Sequence, residues 1–469
     1  MDQTIPVATR NDTICAVATP PGSGAIAIVR LSGQGSLDIA FKIFRPFQEN
    51  LKKDMIKSHH MYYGQIRSED GVLDEVLFTY FKAPHSYTGE DSVEISCHGS
   101  EFIQQKLIEL LLQNGARFAE PGEYTMRAFL NGRLDLSQAE AVADLIASQS
   151  RSAHKMAMNQ MRGGFSAKIS ELRAKLVQFT SLIELELDFS EEDVEFADRA
   201  ALNDLLADLK QELSYLISSF KVGNVLKTGI PVTIIGKPNA GKSTLLNAIL
   251  NEEKAIVSDI PGTTRDAIED TIIIDGYRFR FIDTAGLRQA QDVIEDLGIG
   301  RTYDKIKQAS IILYVCDISE AGPEKIEDIL NDFRHYIEDE DKHFILVANK
   351  IDQLNEIPPH LKEMLELETV FVSAKRKENI HLLAETLVNK VKEKSISADI
   401  IVNNSRHYEA LTAALNSLEQ VEKGLAENVP TDLVAIDIRQ ALHYLGTITG
   451  EITTDEVLGS IFSKFCIGK

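Results

Sequence analysis

Residues 236–243 read GKPNAGKS, a loop with the spacing G-x-x-x-x-G-K-S, preceded by the apolar run PVTII and followed by the helix-forming run TLLNAIL. Strand, loop and helix in that order form the setting in which this motif holds phosphate. The glycines let backbone N–H groups turn toward a polyphosphate. Lys242 reaches the β- and γ-phosphates, and the Ser243 hydroxyl is a Mg2+ ligand. The start of the following helix adds a dipole that favours anions. Asn239, Ala240, Gly241, Lys242, Ser243 and Thr244 are the nucleotide-binding candidates here, with Lys242 also a catalytic candidate.

Three further pieces follow in order, each after an apolar run. Asp283, Thr284, Ala285 and Gly286 come after FRFI; the carboxylate suits Mg2+ through water, and the glycine N–H senses a γ-phosphate. Asn349, Lys350 and Asp352 form N-K-x-D after HFILVA. The Asp352 carboxylate would accept both N1–H and N2–H of guanine, a donor pair that adenine lacks, so GTP is selected over ATP. Ser373, Ala374 and Lys375 follow VFV, where a backbone N–H can meet guanine O6. Between the first two motifs lies SDIPGTTRD; Ser258, Asp259, Ile260, Pro261, Gly262, Thr263 and Thr264 make it a candidate switch that reports γ-phosphate loss. Four ordered motifs at strand ends define a GTPase domain.

Leu287 follows the second motif, where Ras-like GTPases carry a water-orienting glutamine. A leucine cannot orient water. Asn239 offers a carbonyl oxygen near the β/γ bridge, suited to a monovalent cation standing where an arginine's charge would otherwise act. Glu295 reads from its polar surroundings as a surface carboxylate, with water orientation as the alternative.

Outward from this core, PVTII, FRFI, IILYVC, HFILVA and VFVS alternate with helical patterns over 229–392, which implies a parallel sheet with helices on both faces. Residues 1–120 mix β-like runs (ICAVAT, AIAIVRL, VLFTYF, SVEIS) with turns and a helical run, FIQQKLIELLLQNG, stopped at Gly115. Over 121–228 the period becomes helical, with Ile169, Leu172, Leu176, Phe179 and Leu182, then Leu202, Leu205, Leu209, Leu213, Leu216 and Phe220; the acidic ELELDFSEEDVEF between them reads as a solvated loop. The helical pattern returns over 393–469 with Tyr408, Leu411, Leu415, Leu418, Val421 and Leu425. Helices therefore flank the α/β segment, which suggests an insertion into one helical domain; two separate helical modules are the alternative.

The 469 residues leave room for about three domains. A net charge of −22 argues against a protein that coats nucleic acid or an anionic membrane. Four cysteines with no C-x-x-C disfavour a disulfide scaffold or zinc ribbon. No apolar run reaches the ~18 residues of a membrane span, and MDQTIPVATRND carries no signal-peptide core, so a cytoplasmic chain without a membrane anchor is expected. Gly22-Ser23-Gly24 is no dinucleotide fingerprint, because IAIVRL after it reads as a strand and not a helix. His98 has no second ligand at zinc spacing and reads as a polar turn.

The whole chain resembles the MnmE (TrmE) family of tRNA-modification GTPases through TPPGSGAIAIVRLSG, PHSYTGEDSVEISCHG, EPGEYTMRAFLNGRLDLSQAEAVADLI, GKPNAGKS, SDIPGTTRD, DTAGLR and the terminal FSKFCIGK. The GTPase pieces alone would also fit ribosome-assembly GTPases of the Era and Der type, a switch without chemistry on RNA; the N-terminal segments and FCIGK would not. A folate-binding regulator that modifies nothing is a third possibility. The resemblance implies an N-terminal α/β folate-binding and dimerisation domain (1–120), a discontinuous all-α domain (121–228 and 393–469) and an inserted Ras-like G domain (229–392). It implies a homodimer that, with the FAD-dependent partner MnmG, builds a carboxymethylaminomethyl or aminomethyl group on C5 of the wobble uridine of certain tRNAs. The FAD belongs to the partner, and a tetrahydrofolate derivative (5,10-methylene- or 5-formyl-) supplies the one-carbon unit. K+ falls on Asn239, Ser258, Ile260 and Thr263, with serine at 258 where threonine is common. Mg2+ falls on Ser243 and Thr264, and the water-orienting carboxylate on Glu295. The folate contacts fall on Arg30, Glu94, Arg133 and Lys469, with arginine at 133 where some members have lysine. Cys466 is either a nucleophile near the folate site or a small buried side chain that positions the tail; it is no prenylation box, because Gly468 is not aliphatic.

Overall fold

A computed structural model describes residues 12–69, 71–188, 199–252, 270–282, 306–320, 323–339, 341–354, 368–394, 401–427 and 429–469. The chain forms two compact units: Met1–Ile146 with Met158–Lys210 and Ala413–Lys469, and Ala147–Ala157 with Gln211–Thr412.

The first unit opens with β1 (Ile14–Val17), β2 (Ile26–Ser32), α1 (Ser36–Ile43), β3 (Phe44–Pro46), β4 (Met61–Ser68), β5 (Gly71–Phe81), β6 (Ser92–His98), α2 (Glu101–Gln113) and β7 (Arg117–Phe118). They make a seven-stranded sheet of order β3-β4-β5-β6-β2-β1-β7, antiparallel except between β1 and β7. The two-residue period of β6 buries Val93, Ile95 and Cys97 and turns Glu94 to the opposite face. On the buried face Val29, Leu31, Phe44 and Phe78 meet Leu107 and Leu111 of α2, and the Phe44 and Phe78 rings stack at 4.6 Å. Gly115, at φ +106°, lies just past the end of α2 as its sequence suggested. β3, β4 and α1 escaped the sequence pattern. The segment after Gly22-Ser23-Gly24 is the strand β2.

Helices α3 (Glu123–Leu130), α4 (Leu136–Ala147), α5 (Arg151–Met161), α6 (Gly164–Asp188) and α7 (Arg199–Thr228) follow. Ile169, Leu172, Leu176 and Phe179 of α6 are fully buried. Along α7 the buried stripe is Leu206, Leu209, Leu213 and Leu216, with Leu205 at its margin. The expected acidic loop needs correction at its start: ELELD belongs to the last turns of α6, because the run contains no Gly or Pro to stop a helix already under way. FSEEDVEF lies outside the described residues.

The second unit contains β8 (Ile230–Ile235), α8 (Lys242–Glu252), β9 (Asp270–Ile274), β10 (Tyr277–Phe281), β11 (Ile311–Asp317), α9 (Pro323–Ile337), β12 (His343–Asn349), β13 (Thr369–Phe371) and α10 (Ile380–Lys394). The sheet order is β13-β12-β11-β8-β10-β9. Five strands run parallel, as the alternation implied, and the added edge strand β9 runs antiparallel to β10. The cause is the Asp275-Gly276 turn, whose two residues lie at φ +46° and +81° and close a hairpin. Leu245 and Ile249 of α8 with Leu383 and Leu387 of α10 cover one face, and Ile329 and Phe333 of α9 cover the other. α11 (Ser405–Ala426), α12 (Thr431–Thr449) and α13 (Asp455–Phe462) complete the chain, and α12 packs along α6 in the first unit. Among the described residues no helix is long and apolar enough to cross a membrane.

Candidate functional site

The fully buried strand β8 delivers the chain to the glycine-rich loop. At Gly236, φ +144°, a Cβ would run into the Val315 carbonyl of β11, so the loop can leave the sheet there only as glycine. Gly241, φ +95°, leaves room for the Asn349 side chain, which a Cβ would displace. Asn239 stands exposed at the tip with φ +60°, Ala240 is buried, and Thr244 is exposed. α8 begins at Lys242, whose ammonium donates to the carbonyls of Gly236 (2.8 Å) and Lys237 (2.9 Å) and so lies across the loop. Ser243 occupies the first turn of the helix. A helix start with a cation laid over the loop is a cradle for phosphate.

Asn349, 2% exposed at the end of β12, ties the phosphate loop to the base-recognition segments. Its Nδ2 donates to the Ala240 carbonyl (2.8 Å), and its Oδ1 accepts from the Ala374 N–H (3.0 Å). Ser373 Oγ donates to Asp352 Oδ1 (2.7 Å) and accepts from the Arg376 N–H (3.1 Å). The Ser373 hydrogen bond is the main cause that holds the Asp352 carboxyl below its ordinary range, so it is ionised and able to accept two N–H donors. Lys350, at φ +69°, ion-pairs with Asp317 at 2.5 Å. Burial would raise the Asp317 carboxyl, but hydrogen bonds from Lys350 and Ser319 outweigh it and hold it low. Lys375 is exposed beside this group. Asp317 went unnoticed in the sequence; its only signal is its place at a strand end, in register with Asn349. Ser258, Asp259, Ile260, Pro261, Gly262, Thr263, Thr264, Asp283, Thr284, Ala285, Gly286 and Glu295 lie outside the described residues. Of the metal ligands expected from the resemblance, Asn239 and Ser243 are the described members.

A second cluster forms on the face of the first sheet opposite α1 and α2. Arg30 and Glu94 are cross-strand partners on β2 and β6, and the guanidinium meets the Glu94 carboxylate at 2.8 Å. The Arg30 guanidinium lies 5.6 Å from the Tyr87 ring centre and 5.7 Å from that of Tyr124, both within cation–π range. The Tyr124 hydroxyl donates to the Arg30 carbonyl (2.7 Å), and Tyr87 hydrogen-bonds Thr125 (2.9 Å). Arg133 packs by its stem beside Gly89: a Cβ there would lie 3.2 Å from Arg133 Cγ. Gly468, at φ +92°, seats the tail so closely on β1 that a Cβ would strike the Val17 carbonyl. A carboxylate acceptor, cations and two aromatic rings suit a ligand with an N–H edge, a flat ring and an acidic tail.

Sequence reasoning missed Tyr87, Tyr124 and the ion network behind them. Arg127, 5% exposed, reaches Asp12 (2.7 Å), Glu123 (2.9 Å) and Glu90 (3.2 Å), and Arg117 reaches Asp12 and Glu123 at 2.6 Å each. Burial would raise both the Asp12 and Glu123 carboxyls, yet the arginine hydrogen bonds win and hold both low. The four-residue spacing of Glu123 and Arg127 on one helix was the available signal. Cys466 carries an exposed thiol, which corrects the buried-side-chain alternative. The tail is held instead by its backbone, with the Gly122 N–H donating to the Cys466 carbonyl (3.4 Å), and by Gly468. His98 is engaged by Asp74, which accepts from its backbone N–H (2.8 Å) and bonds its ring (2.7 Å).

The second unit, with its strand order, phosphate loop and Asn349 bridge, is a P-loop GTPase domain of the guanine-selective kind. Comparison with known proteins goes further. The family model described as the MnmE helical domain matches residues 136–466, and that described as the GTP-binding protein TrmE N-terminus matches 13–133. The tRNA modification GTPases MnmE of Flavobacterium psychrophilum and Bacteroides thetaiotaomicron are each 51% identical to this chain, covering 98% of it and 99% of their own lengths. That of Cytophaga hutchinsonii is 50% identical over 99% of this chain and 100% of its own. The chain belongs to the MnmE family of tRNA modification GTPases. The G domain of the T. maritima FeoB iron transporter aligns with 34% of this chain and 97% of its own at 29% identity, with a TM-score of 0.25, too low to bear on the fold.

Proposed function

We propose that this chain hydrolyses GTP at the glycine-rich loop and couples the cycle to substitution of C5 of the wobble uridine in certain tRNAs, together with an FAD-carrying MnmG partner. Membership of the MnmE family is the observation that carries the reading, and the Asn349 bridge between phosphate and base segments supports guanine-nucleotide use. Asp352 would accept the guanine N–H pair, and Lys242 would exchange its loop carbonyls for phosphate oxygens. Mg2+ at Ser243 and Thr264 and K+ at Asn239, Ser258, Ile260 and Thr263 would offset the charge that develops between the β- and γ-phosphates. Glu295 would orient the attacking water.

A tetrahydrofolate derivative, as one-carbon source, fits the donor set of the first sheet. Glu94 would accept from its ring N–H groups, Tyr87 and Tyr124 would flank it, and Arg30, Arg133 and Lys469 would meet its carboxylates. The working division is 1–120 for folate binding and dimerisation, 121–228 and 393–469 as one helical domain, and 229–392 as the G domain inserted in it; the packing of α12 on α6 supports that insertion. The protein would act as a homodimer in the cytoplasm.

The test is mass analysis of tRNA nucleosides from cells lacking this protein, rescued with wild type or Lys242→Ala. C5-substituted wobble uridines should return only with wild type. Nucleosides that never change would leave a GTPase of the ribosome-assembly kind. Replacing K+ by Na+ should abolish most hydrolysis in vitro; equal rates would remove K+ from the mechanism.

A further inference from the structure

In a chain with 71 acidic and 49 basic residues, the 26 residues from Leu145 to Ser170 contain no Asp or Glu. They contain Arg151, His154, Lys155, Arg162 and Lys168. At 100° per residue, Arg151 and Lys155 of α5 and Arg162 just past its end, whose N–H still donates to the Met158 carbonyl (3.0 Å), fall within about 40° of one another, a stripe about 16 Å long. All three are exposed, and none makes a side-chain hydrogen bond or ion pair among the described residues. Neighbouring helices behave differently: Lys168 and Lys175 pair with Glu171, Arg173 with Glu451, and Lys210 with Glu422. Asp275 feels the charge of Arg151, but its ion pair is with Lys392.

Like charges four residues apart on a helix repel, and an ordinary solvated face relieves this by alternating sign. This face does not, so its geometry suits an anionic polymer that supplies the missing negative charge. Its start is held firmly. The Ser152 N–H and hydroxyl both donate to the Gly276 carbonyl in the β9–β10 turn, each at 3.2 Å. That fixes the first cation of the stripe against a hairpin of the nucleotide-binding sheet.

We infer that the Arg151–Lys155–Arg162 stripe of α5 is a contact surface for the phosphate backbone of tRNA. The inference rests on the tRNA reading above and adds that this chain grips the RNA itself. The test uses the full chain and an unmodified tRNA transcript, with fluorescence anisotropy followed across a salt series. The triple variant Arg151→Gln, Lys155→Gln, Arg162→Gln should bind more weakly, and its log K against log salt slope should be shallower by about 2 to 3, roughly one per lost phosphate contact. Lys210→Gln, which removes a cation already paired, should leave the slope at wild type. Should the triple variant melt early, Lys155→Gln alone should still lower the slope by about 1.

Equal slopes for wild type and variant would overturn the assignment, as would a wild-type chain with no affinity for tRNA. In that last case the nucleoside analysis would still judge the modification reading independently. Binding to phosphatidylglycerol vesicles that the triple variant loses, with tRNA binding unchanged, would assign the stripe to a membrane surface and refute the RNA contact. GTP hydrolysis without tRNA should be the same in all variants.

Discussion

Asn349→Ala should separate the phosphate loop from the base-recognition segment. Asn349 is 2% exposed, and its two hydrogen bonds end on the carbonyl of Ala240 and the N–H of Ala374, residues that are 2% and 4% exposed. Alanine removes both partners. Each orphaned backbone group costs about 1–3 kcal/mol, so the pair costs about 2–6 kcal/mol. Some of that is released as the loops relax in the nucleotide-free protein. If half survives as weaker binding, GTP and GDP affinity falls about 5- to 150-fold. Titration with a fluorescent GDP analogue reads this directly, and a thermal melt of the same sample reports the remainder. Asn349→Asp provides the internal control: it keeps the acceptor for Ala374 but loses the donor to Ala240 and puts a carboxylate beside that carbonyl. It should spare the Ala374 side and still weaken binding. A Kd within about twofold of wild type, with an unchanged melt, would show that the bridge does not support the site.

Asp317→Asn keeps the shape of its side chain but removes the charge facing Lys350; at about 1 kcal/mol for this partly exposed pair, KM for GTP should rise about fivefold with kcat unchanged, and a fall in kcat at constant KM would refute the positioning role. Asp12 and Glu123 have carboxyls held low in the folded protein, so their contribution to stability is full above the unfolded value of about 4 and is lost as pH falls through the lower folded values. Circular dichroism suits this measurement, since the chain has no tryptophan. Arg127→Met should move that acid loss to higher pH, and an unmoved acid limb would remove the network from the account. Gly468→Ala meets both the left-handed backbone, at about 1–2 kcal/mol, and the Val17 carbonyl, so it should dislodge the tail and weaken 5-formyl-tetrahydrofolate binding while GTP hydrolysis persists. Calorimetric titration that gave wild-type folate affinity would separate the tail from the Arg30–Glu94 cluster.

The phosphate loop was legible because its chemistry is local. Glycines, a lysine and a serine at fixed spacing, between an apolar run and a helix-forming run, leave one backbone path, and Gly236 and Gly241 take conformations that suit glycine. β9 was missed although Asp275-Gly276 is the standard two-residue hairpin signal, because the run before it, DTIIID, carries acids at both ends and does not read as a strand of a buried parallel sheet. The continuation of α6 through ELELD was obscured for a similar reason: charge suggested a loop where only a helix breaker would have made one. Beyond the four-residue spacing of Glu123 and Arg127, the Arg127 network lay outside any local pattern. Asp12 and Arg127 are 115 positions apart and meet only because β1 and α3 are brought together by the first sheet.

The same distinction separates the nucleotide site from the Arg30–Glu94 cluster. At the nucleotide site the decisive groups come from short motifs at strand ends, so the order of strands follows from the chemistry that must converge there. At the Arg30–Glu94 cluster the pairing depends on the register of β2 with β6, and a slip of one residue would send Glu94 into the core with Val93 and Ile95. No motif states that register. It is imposed by the alternation of buried side chains along both strands, and the two tyrosines then hold the guanidinium from α3 and from the segment before β6. A ligand that binds there is recognised by packing as much as by charge. Conservative changes at Tyr87 or Tyr124 should therefore disturb it as much as Arg30→Lys, which keeps the charge but loses the planar face the rings hold.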